Sequence, residues 1–373
     1  MENKVLVTRS SMPPFEEYVE MIRPLWETHW ITNMGTYHKQ LETELKKYLD
    51  VSQLSLMVNG HMALELAIQA MGFPEGSEII TTPFTFVSTT HAIIRNKLAP
   101  VFCDIKLSDY TMDENKIEEL ITEKTVAILP VHVYGNICNV KRIQEIADKH
   151  NLKVIYDAAH AFGEKINNIG IGNFGDVSIF SFHATKVYNT IEGGAVAFRD
   201  ESLYKKLYNL KNFGIRSEEI VAEVGTNAKM NEFSAAMGLC NLKYVHENVR
   251  ARRERVKYYI DLLQNVKNIK IQMFDDSNIV YSYGYFPVLI EMDESQNNMR
   301  DVIYQKLRNE NVFSRKYFFP ITSDEECFKR QYEKVLLKNA RHVSENILVL
   351  PLYPELEFEK ITNICKIIKK ILG

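Results

Sequence analysis

Two residues sit where strand-like runs stop, in settings an ordinary surface side chain does not need. Asp157 ends "KVIYD" (153–157). Lys186 follows "VSIFSF" inside "SFHATKVYNTIEGGAVAF", which runs from Ser181 to Phe198. A lysine amine that is desolvated or set near other cations loses its proton near neutral pH and can form a Schiff base with a carbonyl. A carboxylate fixed nearby can pair with a ring nitrogen and keep it protonated, which makes a pyridine ring a better electron sink. Each has an ordinary reading when taken alone: Asp157 as a turn or cap carboxylate, Lys186 as a surface lysine. The setting of Lys186 shifts the balance. Ser181 and Thr185 lie beside it, and Gly193 and Gly194 follow it. The two glycines are expected to let the chain turn tightly back into the sheet without crowding the site.

Two further stretches fit the same chemistry. Asn59-Gly60 stands between the apolar run "LSLMV" (54–58) and the helical pattern "HMALELAIQAM". Backbone N–H groups at such a junction point outward and can hold a phosphate; a plain turn is the alternative. "TTPFTFV" places Phe84 and Phe86 just after the next strand, for core packing or for stacking on a flat ring. In chain order these residues make a phosphate seat, a stacking ring, a pyridinium partner and a Schiff-base lysine. That is the requirement list of a pyridoxal phosphate site.

Such a site needs a scaffold that brings distant residues to one edge. Up to about residue 200, apolar runs ("EII", "APVFCDI", "VAILPVHV", "KVIYDAA") alternate with helical patterns ("TFVSTTHAIIRN", "DENKIEELI", "VKRIQEIADKH"). This predicts a mostly parallel α/β sheet covered on both faces, with ligands outside the carboxyl ends of the strands. "VSIFSF" and "GAVAF" have no helix between them, so the sheet is expected to become mixed there. "MNEFSAAMGLCNLKYVHENVRARRERVKYYIDLLQ" reads as one long helix bridging two domains. From about residue 265 the pattern becomes α+β. The expected division is a large α/β domain over 1–250 and a small C-terminal α+β domain over 251–373, in line with a chain of 373 residues.

Composition excludes other classes. Net charge is −3, which offers nothing to nucleic acid or an anionic membrane surface. No apolar run approaches a bilayer span, and the N-terminal residues do not read as a signal peptide. The five cysteines are scattered with no CxxC pair, and read as buried thiols of a cytosolic protein with no metal site. "GIGNFG" (170–175) matches a dinucleotide fingerprint, but it precedes a strand where the fingerprint must open a helix, so a nicotinamide oxidoreductase is rejected and the stretch reads as a turn.

"IYDAAHAFG" followed by "GNFGDVSIFSFHATK" and "EGGAVAF" resembles the sugar aminotransferases of the DegT/DnrJ/EryC1/StrS family. "WITNMG", "NGHMALELAI", "TTPFTFVST", "VHVYGN", "NFGI", "GTNAKMNEFSAAMG" and "LPLYPEL" extend the resemblance over essentially the whole chain. It implies the aspartate-aminotransferase fold (fold type I) and a cytoplasmic homodimer with shared active sites. It implies that Lys186 carries pyridoxal phosphate as a covalent Schiff base and that Asp157 pairs with the pyridine nitrogen. His160 stands where the family often has glutamine and would sit near the ring hydroxyl. Ser181 and the backbone amides of Gly60 and His61 would bind the phosphate, and Asn227 would reach it from the other subunit. Phe86 fits the stacking position better than Phe84. His61 replaces the family's usual threonine or serine, which removes a hydroxyl contact. Tyr317, in "SRKYFFP", is a candidate sugar-nucleotide contact, with a buried aromatic as its other reading; Arg216 or Arg315 could meet a diphosphate. Family members that act as 3-dehydratases carry histidine in place of the lysine, so Lys186 argues for amine transfer. The implied reaction takes the amine of L-glutamate to C4 of a dTDP-linked 4-keto-6-deoxy sugar, for O-antigen or another aminosugar product. Transfer at C3, an axial 4-amine, and a non-catalytic regulatory protein on the same fold are the alternatives.

Overall fold

In the computed structural model, residues 4–275, 277–291 and 298–373 are described. Seven strands form the main sheet: β1 (Gln53–Met57), β2 (Glu78–Thr81), β3 (Ala99–Phe102), β4 (Thr125–Leu129), β5 (Lys153–Asp157), β6 (Val177–Ser181) and β7 (Gly194–Phe198). Their order is β1-β7-β6-β5-β4-β2-β3. β7 runs antiparallel to both β6 and β1, while the pairs from β6 across to β3 are parallel. The mixed sheet expected from "VSIFSF" and "GAVAF" is therefore present, and its cause is the short loop that joins them.

Helices cover both faces, as the unbroken apolar strands require. On one face, α1 (Thr36–Leu49) and α4 (Val140–His150) bury Leu41, Leu45, Ile143 and Ile146. On the other, α2 (Gly60–Met71), α3 (Ser88–Arg95) and α5 (Ser202–Lys211) bury Leu64, Ile68, Ile93 and Leu207. A second core lies around β8 (Ile269–Ile271), β9 (Phe286–Ile290) and β10 (Ile347–Leu350), an antiparallel sheet with β9 in the middle. Val5 belongs to that core, because Val5–Leu6 pairs in parallel with Val312–Phe313. Between the two cores lies an aromatic seam in which Phe84, Tyr110, Tyr134 and Phe318 meet ring to ring.

Three expectations change. The single long helix is two: α6 (Glu232–Leu242) and α7 (Val245–Leu263). At the break the amides of Lys243 and Tyr244 bond three residues back, to the carbonyls of Cys240 and Asn241, in a tightened turn. "DENKIEELI" makes only two 3₁₀ turns, at Glu114–Lys116 and Glu118–Leu120. Glu114 is drawn inward there to Lys106 (3.1 Å) and Asn139 (2.9 Å), and these tertiary ties override helical periodicity. Cys327 is exposed, while Cys103, Cys138, Cys240 and Cys365 are buried.

Candidate active site

Because β1 and β6 run parallel and β7 returns between them, the ends of β1 and β6 meet the start of β7 at one edge. Gly194 is paired with Met57 on one side and Ser181 on the other. Asp157, at the end of β5, pairs with Ile179 one strand further on. A cavity of about 790 Å³ opens at this edge, lined by Gly60, His61, Phe86, Asp157, His160, Ser181, Lys186 and Tyr317, among others. Seven of the eight cofactor-binding candidates thus come together with the substrate candidate. The exception is Asn227, an exposed residue outside this cavity whose side-chain oxygen accepts from Lys229 Nζ at 2.9 Å.

The phosphate seat is a helix N-terminus. Asn59 caps α2 by accepting from the Met62 amide at 2.8 Å, and its carbonyl accepts from Ala63. That leaves the amides of Gly60 and His61 without an intrahelical acceptor. Gly60 must be glycine for close approach: a Cβ there would stand 2.7 Å from Ser181 Cβ and 2.9 Å from its Oγ. The His61 ring does not enter the seat. It bridges Ser88 Oγ (2.8 Å) and Glu65 (3.3 Å), so only its amide serves an anion there.

Asp157 is 6% exposed. Thr89 Oγ1 donates to Oδ2 at 2.9 Å and the Ala159 amide to Oδ1 at 3.1 Å. Burial is the largest influence on this carboxyl and raises its pKa despite those donors. A cationic ring N–H is what such a group lacks. His160 accepts from the Tyr134 amide through Nδ1 at 3.1 Å. Burial holds its pKa well below the usual imidazole range, so the ring is neutral and its proton is on Nε2. Lys186 Nζ donates to Tyr285 Oη at 3.1 Å. Phe86 is 59% exposed at the cavity wall, whereas Phe84 is fully buried in the aromatic seam, so of the two only Phe86 can cover a ligand face. Arg315 lines the cavity; Arg216, on the exposed strand Ile215–Ser217, does not.

The glycines after Lys186 act through their missing side chains, the uncrowded return to the sheet that was expected, and not through a left-handed turn. Neither has a positive φ. A Cβ on Gly194 would lie 2.6 Å from the Asn59 carbonyl oxygen and 2.7 Å from Gly60 N, so this glycine lets β7 slide against the anion seat. Gly194→Ala is expected to destabilise the fold by roughly 1–3 kcal/mol through overpacking against rigid backbone, read as a lower urea midpoint. In "GIGNFG" a Cβ on Gly170 would lie 2.2 Å from the Leu49 carbonyl, and Gly175 takes a positive φ of 71°, in keeping with a turn before β6.

Several partners escaped the sequence reading. Thr89 and Tyr285 hold Asp157 and Lys186 from distant points of the chain. Behind His160, the Ser282 amide and hydroxyl both donate to Glu164 Oε1, at 3.0 and 2.7 Å. Burial pushes the Glu164 carboxyl from 4.5 up to about 8. The folded protein then keeps a proton that the unfolded chain releases, so stability is lost as pH rises between about 4.5 and 8. Glu164→Gln is expected to flatten that slope in a series of urea titrations; an unchanged slope would remove the assignment.

The DegT/DnrJ/EryC1/StrS aminotransferase family model matches residues 15–369. The chain belongs to this family. This aminotransferase is 39% identical over 371 residues, the full length of both chains, to dTDP-4-amino-4,6-dideoxy-D-glucose transaminase of Shigella dysenteriae. It is 39% identical over 374 residues to the Escherichia coli transaminase of the same name, covering 99% of each. Among solved structures, DesI, determined in the presence of its TDP-sugar product, superposes with a TM-score of 0.92 at 28% identity, covering 99% of this chain and 93% of that one. The aminotransferase's own donor set fits pyridoxal phosphate. Gly60 and Ser181 approach too closely for a Cβ between them, Asp157 accepts only from the neutral donors Thr89 and Ala159 among the described residues, and a lysine amine lines the same cavity. Among the described residues, no helix is long and apolar enough to cross a membrane and no cluster is built to hold a metal ion.

Proposed function

We propose that the protein transfers the amino group of L-glutamate to C4 of dTDP-4-dehydro-6-deoxy-D-glucose, giving dTDP-4-amino-4,6-dideoxy-D-glucose and 2-oxoglutarate, with pyridoxal phosphate bound covalently at Lys186. The observation that carries this reading is full-length identity of 39% to two transaminases of that name. When bound, the cofactor supplies an electron sink for the charge left when a proton leaves the carbon bearing nitrogen. Asp157 holds a proton on the ring nitrogen. Ser181 Oγ and the amides of Gly60 and His61 hold the phosphate, and Phe86 covers a ring face. His160 donates from Nε2 towards the ring hydroxyl. Lys186 Nζ, once free, would take the proton from the donor carbon and return it to the carbon on the other side of the nitrogen, a task for a base within hydrogen-bond reach. In the second half of the cycle it runs the same transfer in reverse on the sugar.

Two copies are proposed to complete each site. Asn227 lies outside its own chain's cavity, beside an exposed apolar stretch that includes Phe213, Ile220, Val221 and Val224. A second copy would cover that surface and receive Asn227 at its phosphate. Tyr317 and Arg315 at the cavity wall are the proposed sugar and diphosphate contacts. A cytoplasmic setting and a product destined for a surface polysaccharide such as O-antigen complete the proposal.

The test is incubation with pyridoxal phosphate, L-glutamate and dTDP-4-dehydro-6-deoxy-D-glucose, with the product read by NMR. An equatorial amine at C4 is expected. Amination of the cofactor by glutamate without a sugar product would keep amine transfer and move the acceptor to another nucleotide sugar.

A further inference from the structure

Among the described residues, the amine of Lys186 has one side-chain hydrogen-bond partner in the cavity, and it lies 99 positions further along the chain. Tyr285 Oη is 3.1 Å from Nζ, while the centroid of its ring is 5.7 Å away, so the hydroxyl makes the contact and not the ring face. The phenol is fixed from several directions. Its ring packs on His160 at 4.6 Å and on Tyr134 at 5.7 Å. The next residue, Phe286, is fully buried and stacks on Tyr259 at 4.6 Å. Three residues earlier, Ser282 is doubly tied to Glu164. The charged and titratable groups around the pair are Asp157, His160, Tyr134, Tyr317 and the buried Arg252.

We propose that Tyr285 is a further catalytic residue: its hydroxyl accepts a hydrogen bond from Lys186 Nζ whenever that amine is free, and so aims the amine's lone pair at the carbon whose proton it moves. The inference rests on the proposed role of Lys186. A hydroxyl can accept from an amine N–H and leave the nitrogen lone pair unoccupied. The contact exists only while Lys186 is free, so it stabilises the state in which the cofactor carries the donor's amino group over the state in which the cofactor is bound to the lysine. No proton is gained or lost in this step, since the one Lys186 removes is the one it returns.

The experiment uses the cofactor-loaded protein and its Tyr285→Phe variant, which keeps the ring and its packing. Mixtures of L-glutamate and 2-oxoglutarate are equilibrated with each, and the visible band of the lysine-bound cofactor is followed. The glutamate to 2-oxoglutarate ratio that converts half the cofactor is expected to rise about five- to tenfold in Y285F, the worth of one lost hydrogen bond. Conversion itself is expected to slow by roughly 10- to 100-fold from a misaimed base, with a larger isotope effect for glutamate deuterated at its α-carbon. Tyr285→Met, which fills the space without a hydroxyl, must shift the equilibrium in the same direction and stands in if Y285F does not load cofactor. An unchanged ratio in a wild-type-like variant would reduce Tyr285 to a packing residue. Failure of the wild-type protein itself to aminate its cofactor would instead remove the underlying role of Lys186.

Discussion

Lys186→Ala is expected to leave a folded protein that turns over no substrate. Lys186 is only half-buried and, among the described residues, its side chain makes one hydrogen bond, to Tyr285, so its loss is a small event for stability, within about 1 kcal/mol. Its loss is a large event for chemistry. The same nitrogen is the proposed attachment point of the cofactor and the base that moves the proton, so turnover should fall by at least about 10⁴-fold. The visible band of the lysine-bound cofactor should vanish with it. Lys186→Arg should fail equally, because a guanidinium stays protonated and cannot act as base or nucleophile. Retained turnover in either variant, measured by NMR of the nucleotide sugar, would end the assignment.

The second large effect is at Asp157, where activity and stability should separate. Asp157→Asn keeps the shape and can still accept from the Ala159 amide, but cannot hold a proton on a ring nitrogen. Turnover should fall by about 10²–10³-fold, the usual cost of removing one preorganised electrostatic partner. In the cofactor-free protein the same change should leave the melting temperature unchanged or raise it. The sign follows from burial. A raised carboxyl pKa means that the folded state favours the neutral form, so above that pKa the ionised group costs stability. A cofactor-free D157N protein that melts well below the wild type would show that Asp157 is a structural hub.

How far these residues could be read beforehand depends on how local their signals are. Asp157, Ser181 and Lys186 end strands or follow them, and a strand end is visible as an apolar run that stops. The parallel sheet was legible for the same reason, since apolar residues run together through the middles of β4 and β5 and dominate β6. Asn59-Gly60 between an apolar run and a helical pattern was legible as a strand-to-helix turn, and the structure has a helix N-terminus there. Tyr285 and Thr89 had no such signal. Tyr285 meets Lys186 across 99 positions of chain, and Thr89 meets Asp157 across 68. The first arises where the two cores meet and the second where α3 packs on the main sheet, not from neighbouring residues. The alternation Tyr281, Tyr283, Tyr285 ahead of β9 was the one available hint that a phenol faces inward. The break between α6 and α7 was illegible because no proline or glycine marks Lys243 and Tyr244. For Gly193 and Gly194 the need to keep side chains from crowding the return into the sheet was legible, while the atoms a side chain would meet, such as the Asn59 carbonyl, were not, because they come from a distant part of the chain.

The reversed strand β7 has a consequence for cofactor choice. The loop carrying Lys186 is closed at its base by the Phe182 amide bonded to the Gly193 carbonyl at 2.8 Å and the Thr190 amide bonded to the Phe182 carbonyl at 3.0 Å, and Gly194 pairs with both Ser181 and Met57. The anion seat and the lysine loop therefore share one datum. When the sheet flexes, both marks of this ruler move together and the span between them is conserved. An aldehyde whose phosphate arm is one methylene longer or shorter cannot satisfy both marks at once, however well either end binds alone. On the proposed roles of Gly60, Ser181 and Lys186, the fold would gauge the length of its cofactor, and it would do so with backbone hydrogen bonds.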